Sequence, residues 1–259
     1  MWSHKRQAAE PDAARLARMS SHELHQLLTG PPDVAARWVR VAAEGGVTEA
    51  QVRLGRMLLD GTGVTKDEAA AVRWFRNAAR SHDAEAMNML GRCFENGWGV
   101  AIDIAQARDW YGRSAEAGND WGQYNYGHLF LDGNGVERDL VAAYGWYLKA
   151  AEQGHARAQN LVARCCEEGW GTAKDPAAAF DWYRRSAEGG YFRAQYNYAT
   201  ALAQRGEITA AADWFWRAGD DGTPEMRQAI ATLLAGCGVP ALVAVGERVA
   251  PPKAATSRP

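Results

Sequence analysis

Three sets of side chains in this sequence have the chemistry to act: a histidine pair, four cysteines, and a periodic series of arginines, asparagines and aromatic rings. His22 and His25 are three residues apart, a spacing that puts two imidazoles on one helical face, where a metal ion can take both. No third ligand is phased with them, so no metal site is assigned. Cys93, Cys165, Cys166 and Cys237 form no CxxC pair and no zinc spacing. The pairs Gly61/Gly63, Gly97/Gly99, Gly133/Gly135 and Gly169/Gly171 lack the preceding strand and the Lys-Ser/Thr tail of a phosphate loop. Neither a catalytic residue nor a cofactor site follows from any of these.

The third set is more informative. Spaced 36 residues apart are three rows. The first contains Glu49, Glu85, Trp121, Arg157 and Arg193. Val52, Asn88, Tyr124, Asn160 and Tyr196 make the second, and Arg56, Arg92, His128, Arg164 and Thr200 the third. Asparagine can pair with a peptide backbone, arginine can hold a carboxylate through two bonds, and Tyr or Trp can anchor an apolar group. The candidate partner-binding residues are therefore Arg56, Asn88, Arg92, Trp121, Tyr124, His128, Arg157, Asn160, Arg164, Arg193 and Tyr196, a set suited to an extended, partly acidic protein segment. The competing account makes these rows solvated helix faces. Trp121, Tyr124 and Tyr196 favour recognition, because large rings on a row outside the core have no packing reason to be there. Glu95, Glu167 and Glu168 lie near the same edge and neutralise some of the arginines. Trp98 and Trp170, each between glycines, mark a possible second site on the loop edge, against the simpler account that they pack over the adjacent helix.

The elements that position these rows are set by a stronger periodicity. Trp38, Trp74, Trp110, Trp146 and Trp182 recur every 36 residues, and Trp214 follows after 32. Such regularity marks a repeat array. Asp67, Asp103, Asp139 and Asp175 each stand seven residues before a tryptophan and open an apolar stretch, which predicts N-caps. The Gly-x-Gly before each Asp ends an upstream helix. On that helix, Ala50, Ala86, Gly122, Ala158 and Ala194 make one buried line, and Leu54, Leu90, Tyr126, Val162 and Tyr198 a second, four residues on. Each unit thus reads as helix A, a glycine loop, helix B and a short turn, usually with glycine. The periodic tryptophans are expected in the core, with Trp110→Ala costing roughly 3–5 kcal/mol. Cys93 and Cys165 replace Met57 and Leu129 in this register, and Cys166 replaces Phe130, so they read as buried packing residues.

The segment AEAMNMLGRCFENGWGVAIDIAQARDWYGRSAEAG resembles the Sel1-like repeat, a relative of the tetratricopeptide repeat. The resemblance covers about residues 31–220, with units at 48–83, 84–119, 120–155 and 156–191 and a degenerate unit over 192–222. It implies an all-α fold, a right-handed superhelical solenoid of stacked antiparallel helix pairs. The three rows would then line a concave wall. It further implies a non-catalytic protein-interaction module, an adaptor, scaffold or regulator in a bacterial cell. The alternatives are a small-molecule or hydrolase-like pocket near His128, which has no phased nucleophile or acid, and a self-associating structural element.

The ends are expected to differ. Residues 1–30 read as a disordered start and a capping helix, 31–223 as the solenoid, 224–236 as a C-terminal capping helix and 237–259 as a flexible tail. A net charge of -2, with 29 Lys plus Arg against 31 Asp plus Glu, gives no nucleic-acid signature. No secretory leader and no long apolar run is legible, so no membrane insertion, a cytoplasmic location and a monomer are expected.

Overall fold

The structure is a computed structural model, and it describes residues 12–251. Among these residues there is no strand. The helices are α1 (Ala13–Leu16), α2 (Ser21–Thr29), α3 (Pro32–Glu44), α4 (Thr48–Asp60), α5 (Glu68–Arg80), α6 (Ala84–Asn96), α7 (Ile104–Glu116) and α8 (Asp120–Asp132). They continue with α9 (Leu140–Glu152), α10 (Ala156–Glu168), α11 (Pro176–Glu188), α12 (Phe192–Gln204), α13 (Ile208–Asp221), α14 (Pro224–Ala235) and α15 (Pro240–Val249). Helices pack in consecutive pairs, α4 with α5, α6 with α7, α10 with α11 and α12 with α13. The chain divides into two compact units at Gly122/Gln123, inside α8.

Local chemistry explains the repeated pair. Asp67, Asp103, Asp139 and Asp175 cap α5, α7, α9 and α11, their carboxylates accepting from backbone N–H groups of the first turn. A second row of caps opens the A helices: Asp83 accepts from Ala86 N at 2.7 Å, Asn119 from Gly122 N at 2.7 Å, and His155, through Nδ1, from Ala158 N at 3.1 Å. His155 is therefore a capping residue. Gly61, Gly97 and Gly169 end α4, α6 and α10 in the left-handed region. The second loop glycine has a different reason. A side chain on Gly63, Gly99 or Gly171 would run into the backbone carbonyl of Pro32, Glu68 or Leu140, in the first turn of the preceding B helix.

The core corrects the expectation for the tryptophans. Of the periodic set only Trp38 is buried, at 4% exposure, while Trp74, Trp110, Trp146, Trp182 and Trp214 are half-buried. The ring one residue later fills the core instead: Phe75, Tyr111, Tyr147, Tyr183 and Phe215 are all buried. Each outer indole from Trp110 onward carries a cation three residues on, at the helical spacing that brings two side chains together. Arg113 lies 4.8 Å from the Trp110 ring, Lys149 3.8 Å from Trp146, Arg185 4.7 Å from Trp182 and Arg217 4.6 Å from Trp214. The indoles thus form the rim of the core, shielded by aliphatic stems.

The first unit begins with α1 and α2, two short helices where one divergent helix is expected. Asp12 caps α1, and Ser20 with Glu23 makes a capping box on α2. In the second unit the segment expected to be a flexible tail contains α15, which packs on α14 and α13 and buries Leu242, Gly246 and Val249. Pro240 at its first position and the apolar run that follows suit a short closing helix. The expected disordered start over residues 1–11, and residues 252–259 of the tail, lie outside the described residues.

Candidate functional site

Three successive A helices of the second unit, α8, α10 and α12, bring seven of the expected residues to one cavity of about 610 Å³. Tyr124 and His128 come from α8, Arg157, Asn160 and Arg164 from α10, and Arg193 and Tyr196 from α12. Each helix contributes at intervals of three or four residues, so the side chains share one face. The wall also includes Leu131, Asp132, Tyr191, Asn197 and Met226, which the periodic rows did not single out. Among the described residues that line the cavity there are thus three guanidinium groups and a single carboxylate, that of Asp132.

The aromatic side of the cavity is a packed cluster. The His128 ring meets Tyr124 edge-on at 4.6 Å and lies 5.4 Å from the Tyr147 ring, while Tyr124 lies 4.9 Å from His155. Burial, with Tyr191 beside it and opposed by Arg157 and Arg193, pushes the Tyr124 hydroxyl above its ordinary range, so it stays protonated. Arg164 lies over the Trp170 ring at 4.9 Å, Arg157 over Tyr191 at 5.8 Å and Arg193 over Phe192 at 5.9 Å. Aromatic faces hold a guanidinium without neutralising it, so the N–H edges keep their charge. Among the described residues neither Arg164 nor Arg193 is in a salt bridge.

Other expected residues are placed differently. Asn160 is 6% exposed, and its Oδ1 accepts from Asn197 Nδ2 at 2.9 Å, so its amide is committed to binding the neighbouring helix. Asn88 is likewise buried, which removes it from the surface. In the first unit, Arg56 and Arg92 line a separate cavity with Trp98 and Glu68. There Arg56 is ion-paired to Glu85, and Arg92 lies 5.1 Å from the Trp98 ring. Trp121 is 42% exposed at the start of α8, in the first unit. Trp98 and Trp170 are half-buried and pack against the hydrophobic cores of their units. They therefore serve as the faces on which Arg92 and Arg164 rest.

The remaining titratable candidates lie in the scaffold. His22 and His25 are exposed, and among the described residues no group of three or more His, Cys, Asp or Glu is arranged to hold a metal ion. Cys93, Cys165 and Cys166 are buried free thiols and Cys237 is exposed. Burial pushes the Cys93 thiol up to about 12 and Cys165 to about 11, far from the thiolate needed for nucleophilic work. Among the described residues no helix is long and apolar enough to cross a membrane.

The family model for the Sel1 repeat matches residues 48–83, 84–119, 122–155 and 156–191, more than half of the chain. The chain belongs to the Sel1 repeat family. Among solved structures, a Sel1 repeat protein from Oxalobacter formigenes shares 27% identity at a TM-score of 0.77, covering 88% of this chain and 96% of that one. The protein c5321, a protective antigen present in uropathogenic Escherichia coli strains displaying an SLR fold, shares 26% identity at a TM-score of 0.70. That match covers 88% of this chain and 52% of c5321, so the Sel1 chain described here spans about half the length of that antigen. The immunity protein Pa5087 from Pseudomonas aeruginosa shares the fold at 18% identity and a TM-score of 0.54, covering 78% of this chain and 77% of that one. No curated protein matches the chain. Sel1 repeats are in general protein-interaction modules, and the all-helical, consecutively paired architecture matches theirs.

Proposed function

We propose that this Sel1 repeat protein is a non-catalytic adaptor or regulator of a bacterial cytoplasm that receives a segment of a protein partner in the cavity between α8, α10 and α12. The observation that carries this reading is the charge balance of the cavity, with Arg157, Arg164 and Arg193 against Asp132. Tyr124, Tyr191 and Tyr196 supply apolar surface between the cations, the composition that protein interfaces favour. The side chains are already ordered by aromatic stacking and by the Asn197–Asn160 bond, so a flexible partner segment meets groups whose ordering entropy is already lost. An acidic, extended segment is the expected ligand. The expectation is confined to the second unit, because in the first unit Arg56 is ion-paired to Glu85 and the cavity that Arg56 and Arg92 line also holds the carboxylates of Asp60 and Glu68.

Affinity purification from the source cell with the wild-type chain and with Arg164→Ala/Arg193→Ala tests the proposal. Both residues are on the surface of the scaffold, so helicity should be unchanged. The partner captured by the wild type should be lost from the variant. Equal capture by a variant of unaltered helicity would remove this cavity from the account.

A further inference from the structure

One tyrosine breaks the pattern of its equivalents, and the place where it does so lies beside the cationic cavity. In α7 the Tyr111 hydroxyl donates to Glu95 Oε2 at 2.7 Å, and in α11 the Tyr183 hydroxyl donates to Glu167 Oε2 at 2.7 Å. In both repeats the carboxylate comes from the A helix of the same pair, sixteen residues earlier. The repeat between them has Leu131 at that position. Tyr147 is 0% exposed, and its buried hydroxyl has no hydrogen-bond partner among the described residues. A buried hydroxyl left unsatisfied is unfavourable, and native structures pair such groups wherever they can.

With leucine in place of the carboxylate, the Tyr147 hydroxyl lacks the acceptor that its equivalents have. Leu131, which stands where the glutamates stand in the flanking repeats, lines the cavity that Arg157, Arg164 and Arg193 also line. Replacing an acid by leucine there removes one negative charge from beside those cations. Burial, reinforced by Tyr124, Cys165 and Asp132 and opposed by Arg164, pushes the Tyr147 hydroxyl up, so it remains a donor.

Resting on the cavity reading above, we infer that a glutamate or aspartate side chain of the partner takes the place of the absent glutamate, accepting a hydrogen bond from Tyr147 Oη and pairing with Arg164. The carboxylate enters past Leu131, whose flexible side chain is the part of the wall that yields. The seat makes the second unit selective for a carboxylate over an uncharged amide of the same shape, because the amide brings no charge to the guanidinium.

The test titrates the full ¹⁵N-labelled chain with acetyl-(Gly-Glu)4-amide, with its glutamine counterpart, and with that glutamine peptide carrying a free C-terminal carboxylate. The wild type should bind the glutamate peptide at least tenfold more tightly than the glutamine amide. Tyr147→Phe should retain the fold and lose most of that preference. Leu131→Glu should rebuild the internal pair of the flanking repeats, raise the melting temperature and abolish the preference, which keeps the test sound if Tyr147→Phe misfolds. Equal binding of the glutamate and glutamine amides overturns the carboxylate seat while leaving the cavity reading intact. Lack of binding by the glutamate peptide, or an unaltered preference in Leu131→Glu, also overturns the seat. Tightest binding by the free C-terminus would move the ligand from a side chain to a chain end and overturn the assignment to Glu or Asp.

Discussion

A Cβ placed on Gly91 of α6 would lie 2.5 Å from Cδ1 of Tyr111. The tyrosine cannot step aside, because its ring is fully buried and its hydroxyl is tied to Glu95. In this pair helix A therefore needs glycine where the Tyr111 ring crosses it, whereas the equivalent positions in the α10/α11 and α12/α13 pairs hold the buried Ala163 and Ala199. Gly91→Ala should destabilise the fold by about 1–3 kcal/mol despite alanine's better helix propensity. Urea denaturation checks this, and a stabilised variant would show that the ring has room to move.

The rim position of the indoles reverses an expected order. Tyr111→Ala should cost roughly 3–5 kcal/mol, since it empties a fully buried site and strands Glu95. Trp110→Ala should cost less than Tyr111→Ala, because its ring is half-exposed and its cover is the stem of Arg113. Thermal melts of the two variants side by side decide the order.

His82 occupies a turn where the other repeats have Gly46, Gly118, Gly154 and Gly190. It adopts φ +60°, and is the only non-glycine in that region among the described residues. A left-handed conformation costs a side-chain-bearing residue on the order of 1 kcal/mol. His82→Gly should therefore stabilise the protein by about 1 kcal/mol, and Gly118→Ala should destabilise it similarly. Unchanged midpoints in both would show that the turn tolerates either residue.

Alkaline pH should weaken the fold through the buried thiols. Cys93 has its folded value pushed from an ordinary 9.0 to about 12, so between those values the unfolded chain loses a proton that the folded chain keeps. Stability from this group is fully present below pH 9 and declines as pH rises toward 12, with a slope of at most about 1.4 kcal/mol per pH unit. Comparing Cys93→Ala with the wild type isolates the contribution, since the variant should decline less steeply above pH 9. Thiol reagents at pH 8 should label Cys237 in the folded chain and reach Cys93 only after unfolding.

Much of the architecture is legible in the sequence because its determinants are local. Asp67, Asp103, Asp139 and Asp175 act within one turn, and a carboxylate three residues before a free N–H needs no tertiary information to be read as a cap. Packing depth is less legible. Trp110 and Tyr111 are adjacent large rings, and which of them enters the core is set by packing against the paired helix, where Tyr111 meets Gly91. The rows of the cavity followed from periodicity for Arg157, Arg164 and Arg193. Periodicity could not show that Asn160 is bound by Asn197, 37 residues away. It did carry the Leu131 signal, one apolar residue where Glu95 and Glu167 stand, but that substitution matters only once the hydroxyl of Tyr147 is seen to be buried without a partner among the described residues. The α15 helix was missed because a short helix with flanking glycine and proline has little propensity signal apart from its docking on α14.

The hydrogen bonds that tie one element to the next span short stretches of chain: Ser114 to Ala84 and Ser186 to Ala156 each join residues 30 apart. A nascent polypeptide can therefore complete one hairpin while the following one is still being translated, with no wait for distant sequence. Gain or loss of a whole 36-residue block by recombination should leave such a protein able to mature, giving evolution a way to alter its length without redesigning its interior.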